Sequence, residues 1–167
     1  MVARKDSSVW CRASRQHPPH RPRPGPHPRV PKPRLPRTAL GLVGAPGEKP
    51  LINATSGSIT RLDQFRPYLN QCCLLLTDSF YEIGIRFFQP GEPVFCSAGL
   101  WREAADGRKY TMLTTAPDET VAKYHNRMPF IVKPELYDAW LGDDWQRVLS
   151  KPDRAPLEKF QKQPDLF

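Results

Sequence analysis

Three polar side chains interrupt otherwise apolar stretches of this sequence and have the types needed for acid–base chemistry. Glu82 directly follows two aromatic residues, His125 lies between two predicted elements, and Asn53 lies at the end of a short apolar run. A carboxylate and an imidazole that meet in a cleft form an acid–base pair. Arg127 carries the planar guanidinium that binds phosphate or carboxylate with paired hydrogen bonds. The same residues also fit structural roles, because Glu82 can be a solvated carboxylate at a sheet edge and His125 a turn histidine. By themselves they therefore support an acid–base site with an anion contact, but no particular reaction or substrate.

The surrounding sequence predicts the elements that must position these residues. An apolar run of strand length predicts a buried strand over 71–77. The segments 93–101 and 109–115, separated by the turn sequence Ala105-Asp106-Gly107-Arg108, predict a hairpin. Further short strands are expected at 51–54 and 128–132, and short helices at 60–69, 117–124, 134–142 and 143–150. Strands with hairpin-type connections, followed by helices, predict an α+β fold with a curved, mostly antiparallel, barrel-like sheet.

Charge and proline content divide the 167 residues into unlike parts. Residues 1–50 contain 11 Lys and Arg against 2 Asp and Glu, whereas residues 51–167 contain 14 against 15. Nine of the 19 residues from 18 to 36 are proline, and 16 of the 17 aromatic residues lie after residue 50. A segment this poor in apolar side chains cannot offset its ordering entropy. We therefore expect a disordered Pro/Arg-rich tail over 1–38, a folded domain over 39–150 and a loose C-terminal tail over 151–167.

Several interpretations of the Pro/Arg-rich tail remain open from its residues. Its arginines can bind nucleic-acid phosphates, and its PxxP spacings can occupy an aromatic groove. His17, His20 and His27 can ligate a metal, although no neighbouring Cys or carboxylate completes such a site. Composition favours a solvated segment without a specific partner. Out-of-frame translation of GC-rich DNA also produces a sequence of this kind.

Cysteine spacing and hydropathy exclude several classes of protein. The longest apolar run, from Cys72 to Leu76, is far shorter than the ~18 residues of a membrane-spanning helix. The first residues lack the apolar segment of a secretory signal. Cys11, Cys72, Cys73 and Cys96 form no CxxC pair and no zinc spacing. We therefore expect a cytosolic protein with reduced thiols, no metal or other cofactor and no membrane partner.

Seven short motifs occur in one order across about residues 40–142 and together carry a family resemblance. They are Leu51-Ile52-Asn53-Ala54, Phe65-Arg66, the segment from Cys73-Leu74 to Phe80-Tyr81-Glu82, Ala98-Gly99-Leu100-Trp101, Leu113-Thr114-Thr115-Ala116, His125-Asn126-Arg127-Met128-Pro129 and Ala139-Trp140-Leu141. In this combination the sequence resembles the abasic-site processing proteins, also called SOS response-associated peptidases. The resemblance implies a mixed α/β fold with a curved, barrel-like sheet.

The resemblance also implies a chemistry and a partner. Members of the family remove their first methionine and expose a cysteine. Its amine forms a Schiff base with the aldehyde of an abasic site in single-stranded DNA, and its thiol closes a thiazolidine ring. The implied activity is DNA repair by a covalent protein–DNA crosslink, with self-processing peptidase and lyase-type chemistry. From the family resemblance we also expect a monomer in the bacterial cytosol, associated with the nucleoid when it binds DNA. By motif, Asn53, Glu82 and His125 are the implied catalytic residues, and Arg127 is the implied contact to backbone phosphate.

Several positions depart from the family pattern, and two of them bear directly on the implied chemistry. Residue 2 is valine rather than cysteine, so an amine there lacks the thiol that closes the ring. Thr55 occupies a DNA-binding position where the family has an arginine, which removes one phosphate contact. We therefore expect a DNA-repair protein whose crosslinking is impaired. The alternatives are a non-catalytic single-stranded DNA-binding module and a truncated pseudoenzyme.

Overall fold

The structure, a computed structural model, describes residues 9–11, 38–41, 50–152 and 156–160. Strands are the main regular structure in this part of the chain, and its helices are short. The strands are β1 (Val9–Cys11), β2 (Thr38–Leu40), β3 (Asn53–Thr55), β4 (Cys72–Thr77), β5 (Phe80–Glu82), β6 (Ile85–Phe88), β7 (Phe95–Ala104), β8 (Gly107–Thr115), β9 (Met128–Pro129), β10 (Ile131–Val132) and β11 (Glu158–Phe160). The α-helices are α1 (Tyr137–Leu141) and α2 (Trp145–Leu149), and 3₁₀ turns occur at Asp63–Tyr68, Val121–Lys123 and Pro134–Leu136.

The principal sheet is curled and mostly antiparallel, which confirms the predicted fold class. Its hydrogen-bonded order is β1-β4-β7-β8-β2, while β3 and β9 also pair with β8 and β10 pairs with β7. Among the described strands, β2 and β3 alone run parallel to their partner, which is β8 in both cases. The predicted hairpin is present as β7 and β8, and its turn is tighter than expected because Ala104 pairs directly with Gly107.

The alternation of side chains along these strands separates two apolar layers. Leu74, Leu100 and Leu113 point to the face that packs against the helices, where Trp140 and Trp145 close the main core. The Trp140 indole donates a hydrogen bond to the carbonyl of Cys73 at 2.8 Å, so the polar end of this buried ring is satisfied. The opposite face of the sheet carries a smaller cluster of alternate residues: Cys73, Leu75 and Met112, with Trp101 and Tyr110 packed against them.

A second sheet of three strands, in the order β11-β6-β5, extends the fold beyond the expected domain. The stretch 151–167 was expected to be loose, but Glu158–Phe160 pairs with β6. Leu157, just before this strand, is 4% exposed and packs in the same cluster as Phe80 and Phe87. That burial holds the segment against the open edge of β6, a long-range contact that local composition does not encode.

The expected N-terminal tail also contains strand residues. Val9–Cys11 pairs with β4, and Thr38, the last residue of the expected tail, begins the strand that pairs with β8. Composition misses these pairings because three residues suffice to extend an existing sheet edge. Residues 1–8 and 12–37, which make up the rest of that tail, lie outside the described residues, as do residues 161–167.

The helices are shorter than the sequence predicts. The helix expected over 60–69 is the 3₁₀ turn Asp63–Tyr68, which contains Pro67 and has no side-chain cap. The helix expected over 117–124 is reduced to Val121–Lys123, where Asp118 Oδ1 accepts the Val121 N–H at 2.8 Å. The two later helices appear as α1, entered by a 3₁₀ turn, and α2. No helix among the described residues is long and apolar enough to cross a membrane.

Candidate active site

The five residues predicted for catalysis and DNA binding line one pocket of about 360 Å³. Asn53, Thr55, Glu82, His125 and Arg127 all border it. Two further residues, Ala54 and Thr114, complete the lining. These positions span more than seventy residues of sequence, so tertiary structure alone brings them together.

An exchange of partners along β8 creates the meeting point. On one edge, β8 pairs with β2 through Tyr110 and then with β3 from Met112 onward. On its other edge, it pairs with β7 as far as Met112 and then with β9 at Thr114 and Thr115. The end of β8 is therefore flanked by β3, which carries Asn53, and by the segment leading into β9, which carries the histidine and the arginine.

Glu82 is held by a tight hairpin. It is the last residue of β5 and pairs with Ile85 across the two-residue turn Ile83-Gly84. Both turn residues have positive φ, 49° and 75°, which is the backbone pattern of a type I′ turn. The Glu82 side chain is only 3% exposed, whereas Ile83 is 74% exposed. The hairpin therefore turns the carboxylate inward and leaves a strained, solvent-facing isoleucine at the tip.

His125 lies beside this carboxylate and has a defined tautomer. Its Nδ1 is 3.8 Å from Glu82 Oε2 and 2.9 Å from the backbone carbonyl oxygen of Arg127. A carbonyl oxygen only accepts hydrogen bonds, so Nδ1 carries the ring proton and donates a hydrogen bond to the carbonyl oxygen of Arg127. In the neutral ring the lone pair is then on Nε2. The ring is 39% exposed, so an imidazole open to solvent adjoins a buried carboxylate.

Arg127 is anchored at the wall of the pocket and keeps charge available. Its Nη2 donates to Thr114 Oγ1 and, at 3.4 Å, to the Thr114 carbonyl. Thr114 Oγ1 in turn donates to the carbonyl of Ala54 at 3.2 Å, which ties the guanidinium to β3. Partial burial lowers the pKa of Arg127 by desolvation, although a guanidinium remains protonated at neutral pH. Within the described ranges no carboxylate lies in ion-pair distance of Arg127, so its charge suits an external anion.

The sequence analysis missed Thr114 as a site residue. It belongs to the motif Leu113-Thr114-Thr115-Ala116, so a signal existed, but two adjacent threonines on a strand point to opposite faces and the sequence does not say which one faces the site. Thr114 is 3% exposed and joins Arg127 to β3. In the part of the chain that the structure describes, no three His, Cys, Asp or Glu side chains are grouped so as to hold a metal.

The fold and pocket define a class of protein: a curled antiparallel sheet with a carboxylate, an imidazole and an amide at one strand end, beside an anchored arginine. The chain belongs to the SOS response-associated peptidase (SRAP) family, whose family model matches residues 36–163. The resemblance drawn from the seven motifs is thereby confirmed, and the match extends beyond them at both ends.

Relatives and solved structures agree with this assignment. The abasic site processing protein YoaM of Bacillus subtilis is 30% identical over 132 residues, covering 66% of this chain and 58% of that protein. YobE of the same organism is 29% identical, with 66% and 60% covered. The chain thus spans about three fifths of these relatives. A crystal structure from Bordetella bronchiseptica has 27% identity and a TM-score of 0.57, covering 67% and 65%. A phage-related protein from that organism shares the fold at 15% identity and a TM-score of 0.61, covering 77% and 71%.

Proposed function

We propose that this protein recognises abasic sites in single-stranded DNA and uses the Glu82–His125 pocket to catalyse imine formation at the lesion aldehyde. The observation that carries the proposal is the convergence of Asn53, Glu82, His125 and Arg127 on one pocket of about 360 Å³. Membership of the SRAP family supports a DNA-repair role connected with abasic sites. The name of the relative YoaM, an abasic site processing protein, supports the same lesion.

The pocket suits the proton transfers of imine formation. An amine nitrogen attacks the aldehyde carbon, and the carbonyl electron pair moves to oxygen, which is protonated to give a carbinolamine. A base removes the extra proton from nitrogen, an acid protonates the hydroxyl, and water leaves as the C=N bond forms. His125 Nε2, carrying the ring's lone pair, serves as the base. Glu82, 3.8 Å from Nδ1 of that ring, stabilises the imidazolium that results, and this imidazolium then gives the proton to the departing hydroxyl.

The remaining residues position the DNA. Arg127 binds the phosphate next to the lesion, because its charge has no carboxylate partner among the described residues and its fork is held in place by Thr114. Asn53 offers an amide that orients the amine or the carbinolamine hydroxyl. Thr55, where the family has an arginine, contributes a hydroxyl and no charge. DNA affinity should therefore depend strongly on Arg127.

The nucleophile that the family resemblance implies is an α-amine. Where that amine belongs to Val2, no thiol adjoins it, so the reaction ends at an imine instead of a thiazolidine ring.

Trapping with borohydride tests this function. The purified polypeptide is incubated with a single-stranded oligonucleotide containing one abasic site, with and without reductant, and analysed on a denaturing gel. We expect an adduct with reductant only, and none after acetylation of the α-amine. Glu82→Gln and His125→Ala should each slow trapping by roughly 10²–10⁴-fold. Glu92→Gln, which removes an exposed carboxylate outside the pocket, is the matched control.

Two outcomes would contradict parts of the proposal. A denaturant-stable adduct formed without reductant would show that crosslinking is not impaired. Lesion-specific binding without any trapped adduct would favour the second candidate, a non-catalytic single-stranded DNA-binding module, which the valine at position 2 also supports.

A further inference from the structure

A second, larger cavity lies at the opposite end of the β7–β8 hairpin from the candidate active site. Its volume is about 770 Å³, and it opens where β4 begins and α1 ends. Among its lining residues are an aromatic ring, two guanidiniums and two side-chain amides: Trp101, Arg102, Arg108, Asn70 and Gln71. This combination differs from the carboxylate–imidazole site, and no step of the proposed reaction uses it.

The aromatic wall is built and braced. The Arg108 guanidinium lies 4.8 Å from the centre of the Trp101 ring, and Glu103 fixes that guanidinium with a 2.7 Å contact to Nε. A half-buried indole paired with arginine is a platform on which a planar base stacks. Because Glu103 neutralises the charge of Arg108, the Trp101–Arg108 pair offers a surface for stacking rather than a free positive charge.

Arg102 supplies the charge that the platform lacks. Its Nε is buried, and no hydrogen-bond acceptor among the described residues lies within reach of it. The guanidinium donates one long hydrogen bond, 3.4 Å from Nη1 to the carbonyl of Glu103, and no carboxylate in the described ranges forms an ion pair with it. A buried donor of this kind requires a partner. A phosphate group fits this requirement, because a guanidinium binds it with two parallel hydrogen bonds.

We propose that this cavity binds a nucleotide, with the base against Trp101 and the phosphate on Arg102. An acidic peptide is a poorer fit, because it has no planar base to stack on Trp101 and its several carboxylates would meet Glu103 and Asp143, whereas a nucleotide brings one phosphate and one base. The amides of Asn70 and Gln71 suit the mixed donors and acceptors of a base edge. The side-chain oxygen of Asn70 already accepts from the Trp145 indole at 3.2 Å, which leaves its NH₂ group to donate.

The side of the cavity formed by Trp101 and Arg108 lies in line with the candidate active site. Arg102 follows Trp101 on β7, so it points to the opposite face of that strand and borders the cavity at the edge of β7, where β4 begins. Arg108 and Thr114 are six residues apart on β8, and side chains separated by an even number of residues share one face of a strand. The distance along the strand is therefore about 20 Å, equal to about six stacked nucleotides at 3.4 Å each. The nucleotide is therefore one of the DNA strand whose lesion occupies the first pocket. This assignment rests on the proposed function and adds a second contact to it.

Oligonucleotide length separates the two sites experimentally. Binding is measured by fluorescence anisotropy with a trinucleotide that has a central tetrahydrofuran in place of the abasic sugar, and with an intact 11-mer. Modified 11-mers carry the tetrahydrofuran at the third position from the 5′ or the 3′ end, so that eight nucleotides extend to one side. We expect the wild type to bind one of the modified 11-mers more tightly than the trinucleotide. Trp101→Ala should weaken 11-mer binding roughly 5- to 150-fold and leave trinucleotide binding unchanged. Arg102→Gln should weaken the 11-mer alone, whereas Arg66→Gln, which removes an exposed arginine outside both pockets, should change neither.

A fluorescence measurement keeps the test valid if Trp101→Ala fails to fold. Trp101→Phe preserves a stacking ring, so it should bind the 11-mer nearly as well as the wild type but lose the quenching of tryptophan emission that DNA causes. Quenching of the wild type by thymidine monophosphate alone, absent in Trp101→Phe, would support nucleotide binding and identify a free nucleotide as an occupant.

The outcomes distinguish the two proposals. Equal 11-mer affinity of Arg102→Gln, Trp101→Phe and wild type, with equal quenching in all three, would overturn the nucleotide site. Equal wild-type affinity for the intact and modified 11-mers, with both weakened by Arg102→Gln, would support the nucleotide site while contradicting lesion recognition at the first pocket.

Discussion

Replacement of Ile83 by asparagine should stabilise the protein, because the turn that carries Glu82 is built on a strained residue. Ile83 has φ of 49° and precedes Gly84 with φ of 75°. For a β-branched residue the left-handed region costs about 1–2 kcal/mol, whereas asparagine tolerates it. Asn-Gly is also the preferred sequence of a type I′ turn.

This substitution removes little buried apolar surface. Ile83 is 74% exposed, so about a quarter of its side chain is buried. Full burial of an isoleucine contributes about 1.5–3 kcal/mol, and a quarter of that is about 0.5 kcal/mol. The net gain in the free energy of unfolding should therefore be about 1 kcal/mol. For a folded unit of this size that corresponds to a rise in Tm of roughly 3–5 °C.

Thermal and urea unfolding followed by far-UV circular dichroism measure this gain. Ile83→Val is the matched control, since valine is also β-branched and should leave Tm unchanged or slightly lower. An unchanged or lower Tm for Ile83→Asn, with the native spectrum preserved, would refute the argument that backbone strain at this turn is costly.

Three further predictions address packing and hydrogen bonding around the site. Thr114→Val removes the hydroxyl that anchors Arg127, so it should lower the free energy of unfolding by about 1–3 kcal/mol and weaken DNA binding. Thr115→Val is the control and should do neither, and equal DNA binding by the two variants would contradict the anchoring role. Gly99→Ala places a methyl 2.9 Å from a backbone carbonyl of the adjacent β8 and should cost about 1–3 kcal/mol in a urea titration; a neutral effect would mean that the sheet yields there. Burial raises the pKa of Cys72 from 9.0 to about 12, so the folded protein keeps the proton that the unfolded chain loses above pH 9. The free energy of unfolding that depends on this proton is therefore fully present below pH 9 and decreases between pH 9 and 12. In unfolding measured across this pH range, Cys72→Ala should show a smaller decrease than the wild type. Equal slopes for the two proteins would contradict the raised pKa of Cys72.

Local sequence determined the strands and the chemistry of the site, but not its geometry. The apolar run of β4 and the turn sequence of the β7–β8 hairpin can be read directly, because period, length and turn residues are local properties. The motifs around Asn53, Glu82 and His125 identified side chains that meet in one pocket. The sequence overestimated the helices, since Pro67 and short polar connections favour 3₁₀ turns over longer helices.

Only the tertiary structure decided which residues meet and which segments join the sheets. Thr114 faces the pocket because β8 exchanges β7 for β9 and β2 for β3 near Met112, an arrangement set by partners distant in sequence. The strand Glu158–Phe160 forms because Leu157 finds a buried position beside β6, although its own composition is polar. Such edge pairings depend on hydrogen bonds to an already formed sheet. The sequence therefore determined which side chains are available for chemistry, whereas strand pairing determined that they meet in one pocket.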